Sequence, residues 1–198
     1  MIKLTHASLF SGIGGWDISA EWCGIENIFQ VEIDKFCQKV LEKHFPNVKR
    51  YGDIKEFNGT KYRGRIDILT GSFPCQPFSQ AGKRKGNKDE RALFPEMLRV
   101  IKEIQPRWVI AENVYGFLNI HDGEYAEEVF SQLEGESYEV QPFIIPASAL
   151  KVWGERSPQN LRIDNLLEKP ESLIFPLFST IDFMSNGQNI FIRTSRIR

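Results

Sequence analysis

The sequence predicts an open α/β sheet, mostly parallel, with helices on both faces. Three observations carry that prediction. Short apolar, β-rich segments recur along the chain, stretches with helical spacing lie between several of them, and a glycine-rich turn directly follows the first segment. Parallel neighbours need crossover connections, crossovers are right-handed, and the connecting helices then cover both sides of the sheet. The pattern holds to about residue 148.

The strand candidates are "LTHASLF" (4–10), "NIFQVEI" (27–33), "VKRYGDI" (48–54), "DILTGSF" (67–73), "RWVIAEN" (107–113) and "VQPFIIP" (140–146). Each is rich in residues that suit a pleated, buried surface. "LFSGIGGWD" follows the first strand and opens the first helical stretch. "DKFCQKVLEKHF" aligns Phe36, Val40 and Leu41 on one helical face and stops before Pro46. "LFPEMLRVIKEI" aligns Leu93, Met97, Ile101 and Ile104, with Pro95 in the first turn, where its missing N–H would have no helical partner anyway. "DGEYAEEVFSQL" aligns Tyr125, Val129 and Leu133, with Asp122 as the expected cap. After Leu150 the spacing of prolines breaks any sustained period. The expected organisation is therefore a folded domain over 1–150 and an irregular extension over 151–198.

With 198 residues, 41% of them apolar and 26% charged, the chain suits one globular domain with a sizeable core. No apolar run approaches the ~18 residues of a membrane span, and "MIKLTHASLF" lacks the basic-then-apolar order of a secretory leader. Cys23, Cys37 and Cys75 are odd in number and have no C-x-x-C spacing, which argues against a disulfide framework and a zinc site. The expectation is a reduced, cytoplasmic protein with no metal. Net charge is −1, but "KRKGNK" (83–88) and "RTSRIR" (193–198) are locally basic. Such patches suit contact with phosphates, and equally suit a solvated loop.

In the glycine turn, Gly12, Gly14 and Gly15 permit positive φ and leave no Cβ between backbone and ligand. The amides at the helix start then favour an anionic group. Glu32 ends the second strand about 20 residues after Gly12, where Rossmann-like folds keep the carboxylate that takes ribose hydroxyls. A nucleoside-containing cofactor follows. The dinucleotide pattern G-x-G-x-x-G would need glycine or alanine at position 17, where Asp17 stands. A carboxylate there would repel a pyrophosphate, so the reading favours S-adenosylmethionine over NAD or FAD. In "GDI" (52–54), Asp53 can accept from an exocyclic amine and Ile54 can cover a ring face.

"SFPCQPFSQ" (72–80) follows the fourth strand at the same sheet edge. Pro74 and Pro77 fix φ on both sides of Cys75 and hold its thiol in one place. Cations or a helix start nearby would populate the thiolate, the reactive form. Cys75 is thus read as a nucleophile, whereas Cys23 and Cys37 on helical stretches are read as packed thiols. Glu112 in "AENV" (111–114) ends the fifth strand at the mouth of the same crevice, where burial suits a proton-donating role.

Phe10-Ser11-Gly12-Ile13-Gly14-Gly15, Glu32, Gly52-Asp53-Ile54, the run Gly71 to Ser79 and Glu112-Asn113-Val114 occur in the order and spacing of the cytosine-C5 DNA methyltransferases, which the chain resembles from about residue 4 to 148. The resemblance implies the S-adenosylmethionine-dependent methyltransferase fold, truncated. It implies that Phe10, Gly12, Ile13, Gly14, Gly15, Glu32, Ile33, Asp53, Ile54 and Pro74 bind S-adenosylmethionine, with Glu32 on the ribose and Asp53 on the adenine amine. It implies that Cys75 attacks C6 of a flipped-out cytosine while Glu112 bonds N3 and the exocyclic amine. "SQAGKRKGNKDER" (79–91) matches the loop that closes over that base, directing Ser79, Lys83, Arg84, Lys85 and Arg91 toward the phosphates of double-stranded DNA.

The chain departs from the family after "PFIIPASAL". The expected Q-x-R-x-R run, target-recognition domain and C-terminal asparagine–valine motif do not occur, and "KVWGERSPQNLRID" follows instead. Three readings stay open at this point. One is an enzyme, compact or completed by a second chain that supplies the missing half; the second is a remnant that binds cofactor without turnover; the third acts on RNA cytosine.

Overall fold

A computed structural model describes residues 3–74, 93–146 and 188–196. The elements in chain order are β1 (Thr5–Leu9), α1 (Gly15–Trp22), β2 (Glu26–Val31), α2 (Lys35–His44), β3 (Lys49–Tyr51), β4 (Ile68–Gly71), α3 (Phe94–Ile104), β5 (Trp108–Val114), α4 (Glu124–Gly135), β6 (Tyr138–Pro146) and β7 (Gln188–Arg196). They form one sheet in the order β3-β2-β1-β4-β5-β7-β6. The five strands from β3 to β5 pair in parallel, and β7 runs antiparallel to both β5 and β6. Chain order reverses at β1, which lies between β2 and β4. That is the switch point at which such sheets open a crevice beyond their strand ends.

Alternation along the strands sorts the core into two layers. Ala7, Leu9, Leu69, Val109 and Ala111 face one side, where they pack with Met97 and Ile101 of α3 and Val129 and Leu133 of α4. Ile68 and Ile110 face the other, against Trp16 and Ala20 of α1. Helices therefore cover both faces, as the alternation of elements predicts.

The same alternation puts His6, Ser8 and Thr70 on the α1 side, all fully buried. Polar side chains there need partners, and they have them. The His6 Nδ1–H donates to Asn27 Oδ1 (2.6 Å), and His6 Nε2 lies 2.9 Å from Thr70 Oγ1. The Ser8 hydroxyl donates to both oxygens of Asp17, at 3.1 and 3.0 Å. Burial lowers the pKa of His6 and raises that of Asp17.

Three expectations from the sequence need correction. Residues 188–196 of the extension are not irregular: β7 inserts between β5 and β6 over its whole length. Phe36 does not join Leu41 on a buried face; it is 70% exposed, while Leu41 is fully buried. Asp122 does not cap α4. It sits at φ 56, and Gly123 at φ 98 makes the entry to the helix without a side-chain cap.

Candidate functional site

The first wall of the site is the turn between β1 and α1. Phe10, Gly12 and Gly14 all have positive φ (53, 55 and 95), so the backbone reverses in alternating left-handed steps. Ser11 anchors the middle of the turn. Its amide donates to Val31 O (3.1 Å), its carbonyl accepts from Gly14 N (2.9 Å), and its hydroxyl lies 2.7 Å from that of Ser8. Open space surrounds the missing side chains of Gly12 and Gly15, whereas a Cβ on Gly14 would stand 2.6 Å from Phe45 Cε2. Gly14 is thus a packing requirement, and Gly12 and Gly15 form the open floor. Gly14→Ala is expected to lower unfolding free energy by about 2 kcal/mol, because a strained backbone costs of the order of 1–3 kcal/mol; urea denaturation measures it, and a change under about 0.5 kcal/mol, the range of neutral surface substitutions, would contradict this packing.

The second wall comes from the ends of β2 and β3. Glu32 Oε2 accepts the Gly12 amide at 2.6 Å and Oε1 accepts the Asp34 amide at 2.8 Å. This fixes the carboxylate at the lip of the turn with lone pairs left for hydroxyl donors. Ile33 beside it is 64% exposed and Ile13 is 37% exposed, so both offer apolar surface at the opening. Asp53 Oδ1 accepts the Lys55 amide (2.9 Å). Ile54 behaves differently from the expectation: its side chain is 4% exposed and belongs to the core, so it supports the turn rather than presenting a face to a ring.

Asp17 also departs from its predicted place. Its carboxylate is fully buried against Ser8 and does not face the turn, so charge repulsion at position 17 gives no ground for choosing among nucleotide cofactors. What remains is an open glycine floor, an oriented Glu32 and Asp53 on the next strand end. That donor and acceptor set fits a nucleoside with ribose and amine groups.

The third wall is the pair of central strand ends. β4 and β5 pair in parallel, with Gly71 opposite Ala111; β4 ends there, so Ser72 leaves the sheet next to Glu112, which stays within β5 and pairs with Phe191 of β7. The Ser72 hydroxyl accepts the Trp16 indole N–H at 3.1 Å. Burial raises the Glu112 pKa, and the neighbouring Ser72 hydroxyl opposes only part of that. Asn113 Nδ2 donates to Phe73 O at 3.0 Å and Asn113 Oδ1 accepts the Val114 amide at 2.9 Å. Asn113 thus ties the strand end that carries Glu112 to the segment ending at Pro74, which is exposed. Asn113→Ala removes the donor to a buried carbonyl, with an expected loss of about 1–3 kcal/mol of stability; thermal unfolding followed by circular dichroism checks it.

Cys75, Ser79, Lys83, Arg84, Lys85 and Arg91 lie outside the described residues. The other two thiols behave as packed or unreactive groups: burial pushes Cys23 up to about 11, and burial with the neighbouring Asp34 and Glu32 does the same for Cys37. Among the described residues no cluster of three His, Cys, Asp or Glu could hold a metal ion, and no helix is long and apolar enough to cross a membrane. The sequence reading missed Ser72, Trp16 and Asn113 as supports of Glu112. The serine between glycine and Phe-Pro and the asparagine after the glutamate are the only local signals for them.

Taken together, the doubly wound sheet, the antiparallel β7 beside β5 and the glycine turn after β1 are those of a Rossmann-like methyltransferase fold. The chain belongs to the C-5 cytosine-specific DNA methylase family, whose profile matches residues 4–157. It is 39% identical over 152 residues to the type II methyltransferase M.Eco47II of Escherichia coli, covering 75% of this chain and 36% of that one. It is 37% identical over 145 residues to M.HhaI of Haemophilus parahaemolyticus, covering 73% of this chain and 44% of that one. The chain therefore spans less than half the length of these relatives. Among solved structures, the S. pombe Dnmt2 methyltransferase superposes with a TM-score of 0.67 at 19% identity, covering 98% of this chain and 51% of that one. The Entamoeba histolytica methyltransferase EhMeth gives 0.66 at 16% identity, covering all of this chain and 54% of that one. These likenesses bear on the fold.

Proposed function

We propose that this chain carries the catalytic half of an enzyme that transfers a methyl group from S-adenosylmethionine to C5 of cytosine in double-stranded DNA. The observation that carries the proposal is the register of β4 on β5, which sets Glu112 next to Ser72 just past β4, with Asn113 bonded to the segment that leads into Cys75. Residues up to about 150 form the cofactor-binding catalytic unit in this reading. The relatives' greater length favours completion by further chain, in the same polypeptide or in a second one.

Glu32 takes the ribose hydroxyls, Asp53 the adenine amine, and the floor at Gly12 and Gly15 lets the backbone approach the ligand. Phe10, Ile13 and Ile33 line the opening, and Ile54 supports it from the core. When bound, S-adenosylmethionine supplies an electrophilic methyl group on a sulfonium.

Cytosine C5 is a poor nucleophile until a group adds at C6. The Cys75 thiolate adds there, and the electron pair moves through the ring toward N3, where the Glu112 carboxyl donates its proton. Glu112 is suited to this because burial favours its protonated form over the ionised one. C5 would then take the methyl group, leaving the cofactor sulfur as a neutral thioether; C5 gives up its proton to water, the thiolate leaves C6, and N3 returns its proton to Glu112 as the ring regains aromaticity. The base must unstack first, at a cost of a few kcal/mol. Ser79, Lys83, Arg84, Lys85 and Arg91 hold the phosphates on either side in this reading.

The direct test incubates the chain with methyl-labelled S-adenosylmethionine and a cytosine-rich duplex. Label is expected in cytosine and absent when every cytosine already carries a C5 methyl. Label in both duplexes would rule out C5 as the acceptor.

A further inference from the structure

We infer that Arg99 of α3 is a positioning residue that sets adenine selectivity, an inference that rests on the cofactor site proposed above. Asp53 and Ile54 follow β3, an edge strand of only three residues, so strand pairing alone fixes this turn poorly. The rest of its support comes from across the fold. Arg99 Nη2 donates to Ile54 O at 2.6 Å and Nη1 donates to Phe57 O at 3.0 Å. The guanidinium is itself held by Glu96 through Nε (2.8 Å) and by Glu103 through Nη1 (2.6 Å). Glu103 in turn accepts the Gly59 amide at 2.7 Å, and a Cβ on Gly59 would come within 2.8 Å of Ile104. Three backbone positions between 54 and 59 are thus fastened to one turn of α3.

The side chains agree with this clamp. Ile54 and Phe57 are each 4% exposed, and Phe57 packs on Phe29 with ring centroids 5.1 Å apart. Asp53 is therefore presented from a loop with little freedom. Ion pairs on a helix surface contribute little by themselves. Here the guanidinium fork meets two carbonyls and two carboxylates at once, a geometry that a lysine ammonium cannot reproduce.

The test is calorimetric binding of S-adenosylhomocysteine and S-inosylhomocysteine to the full chain, since the second ligand replaces the amine read by Asp53 with a carbonyl. The wild type is expected to prefer the adenine ligand by about tenfold or more, equivalent to about 1.4 kcal/mol. In Arg99→Lys that preference is expected to fall to about twofold, the adenine ligand losing most. Glu103→Gln keeps an acceptor for Gly59 but removes a charge that holds Arg99, and a fall to about fourfold is expected there; it decides the matter alone if Arg99→Lys does not fold. Equal weakening of both ligands, or an unchanged ratio, would overturn the inference and leave Arg99 a structural residue. A wild type that binds neither ligand would overturn the cofactor site and this inference together, and a wild type that binds both equally would overturn the role of Asp53 on which the inference depends.

Discussion

Cys75→Ser is expected to abolish methyl transfer, with a loss of at least about 10³-fold in turnover while cofactor binding stays within about twofold. The reasoning is chemical. A serine hydroxyl at neutral pH is almost wholly protonated, whereas a thiol near its pKa of about 8.5 supplies thiolate readily, more so beside cations. Without addition at C6, C5 has no enamine character and the methyl group has no acceptor. Labelled duplex should therefore appear only with the wild type, and calorimetry should report the same affinity for S-adenosylhomocysteine in both. Label retained by the serine variant would sink the covalent route while leaving the family assignment untouched.

The second large effect belongs to Glu112. Glu112→Gln keeps a hydrogen-bond donor for the base but has no proton to give, so turnover should fall by about 10²–10⁴-fold. The pH profile distinguishes this from a loss of shape. Cys75 must be ionised and Glu112 protonated, so the wild-type rate rises as the thiol ionises and falls again as Glu112 loses its proton. Because burial favours the protonated Glu112, it enlarges the fraction of molecules that hold thiolate and carboxylic acid together, and the descending limb should disappear in the glutamine variant. The sign for stability runs the same way. The native state holds this proton more tightly than the unfolded chain, so the ionised carboxyl destabilises the fold. The wild type should lose stability as pH rises from the unfolded carboxyl value through the folded one, and the variant should not. A descending limb retained in Glu112→Gln would assign the proton to another group.

Much of this arrangement is legible in the sequence because it is local. Apolar runs of strand length, the glycine turn and a carboxylate at the next strand end can be placed by counting. Asp17 shows where counting fails. Its distance from Gly12 suggests the ligand, but α1 turns it inward toward Ser8. His6 and Ser8, alternating on a strand buried on both faces, were the sign that α1 must bring a polar partner. Arg99 and Asn113 were invisible for a related reason: their partners at Ile54, Phe57 and Phe73 are distant in sequence and are backbone carbonyls, which no residue pattern marks. β7 was missed because an antiparallel strand inside this sheet is defined by its two neighbours, not by its own nine residues.

The position of β7 carries a consequence for how the protein is made. Among the described residues β6 joins the sheet through β7, and β5 has β7 along its whole outer edge. A growing polypeptide that has reached residue 146 therefore owns a finished parallel half and an orphan strand with no template to zip onto. High contact order of this kind slows folding and leaves sticky borders waiting. Until residues 188–196 leave the ribosome, β5 and β6 lack the strand that joins them, and the yield in a cell should depend on how quickly that strand arrives.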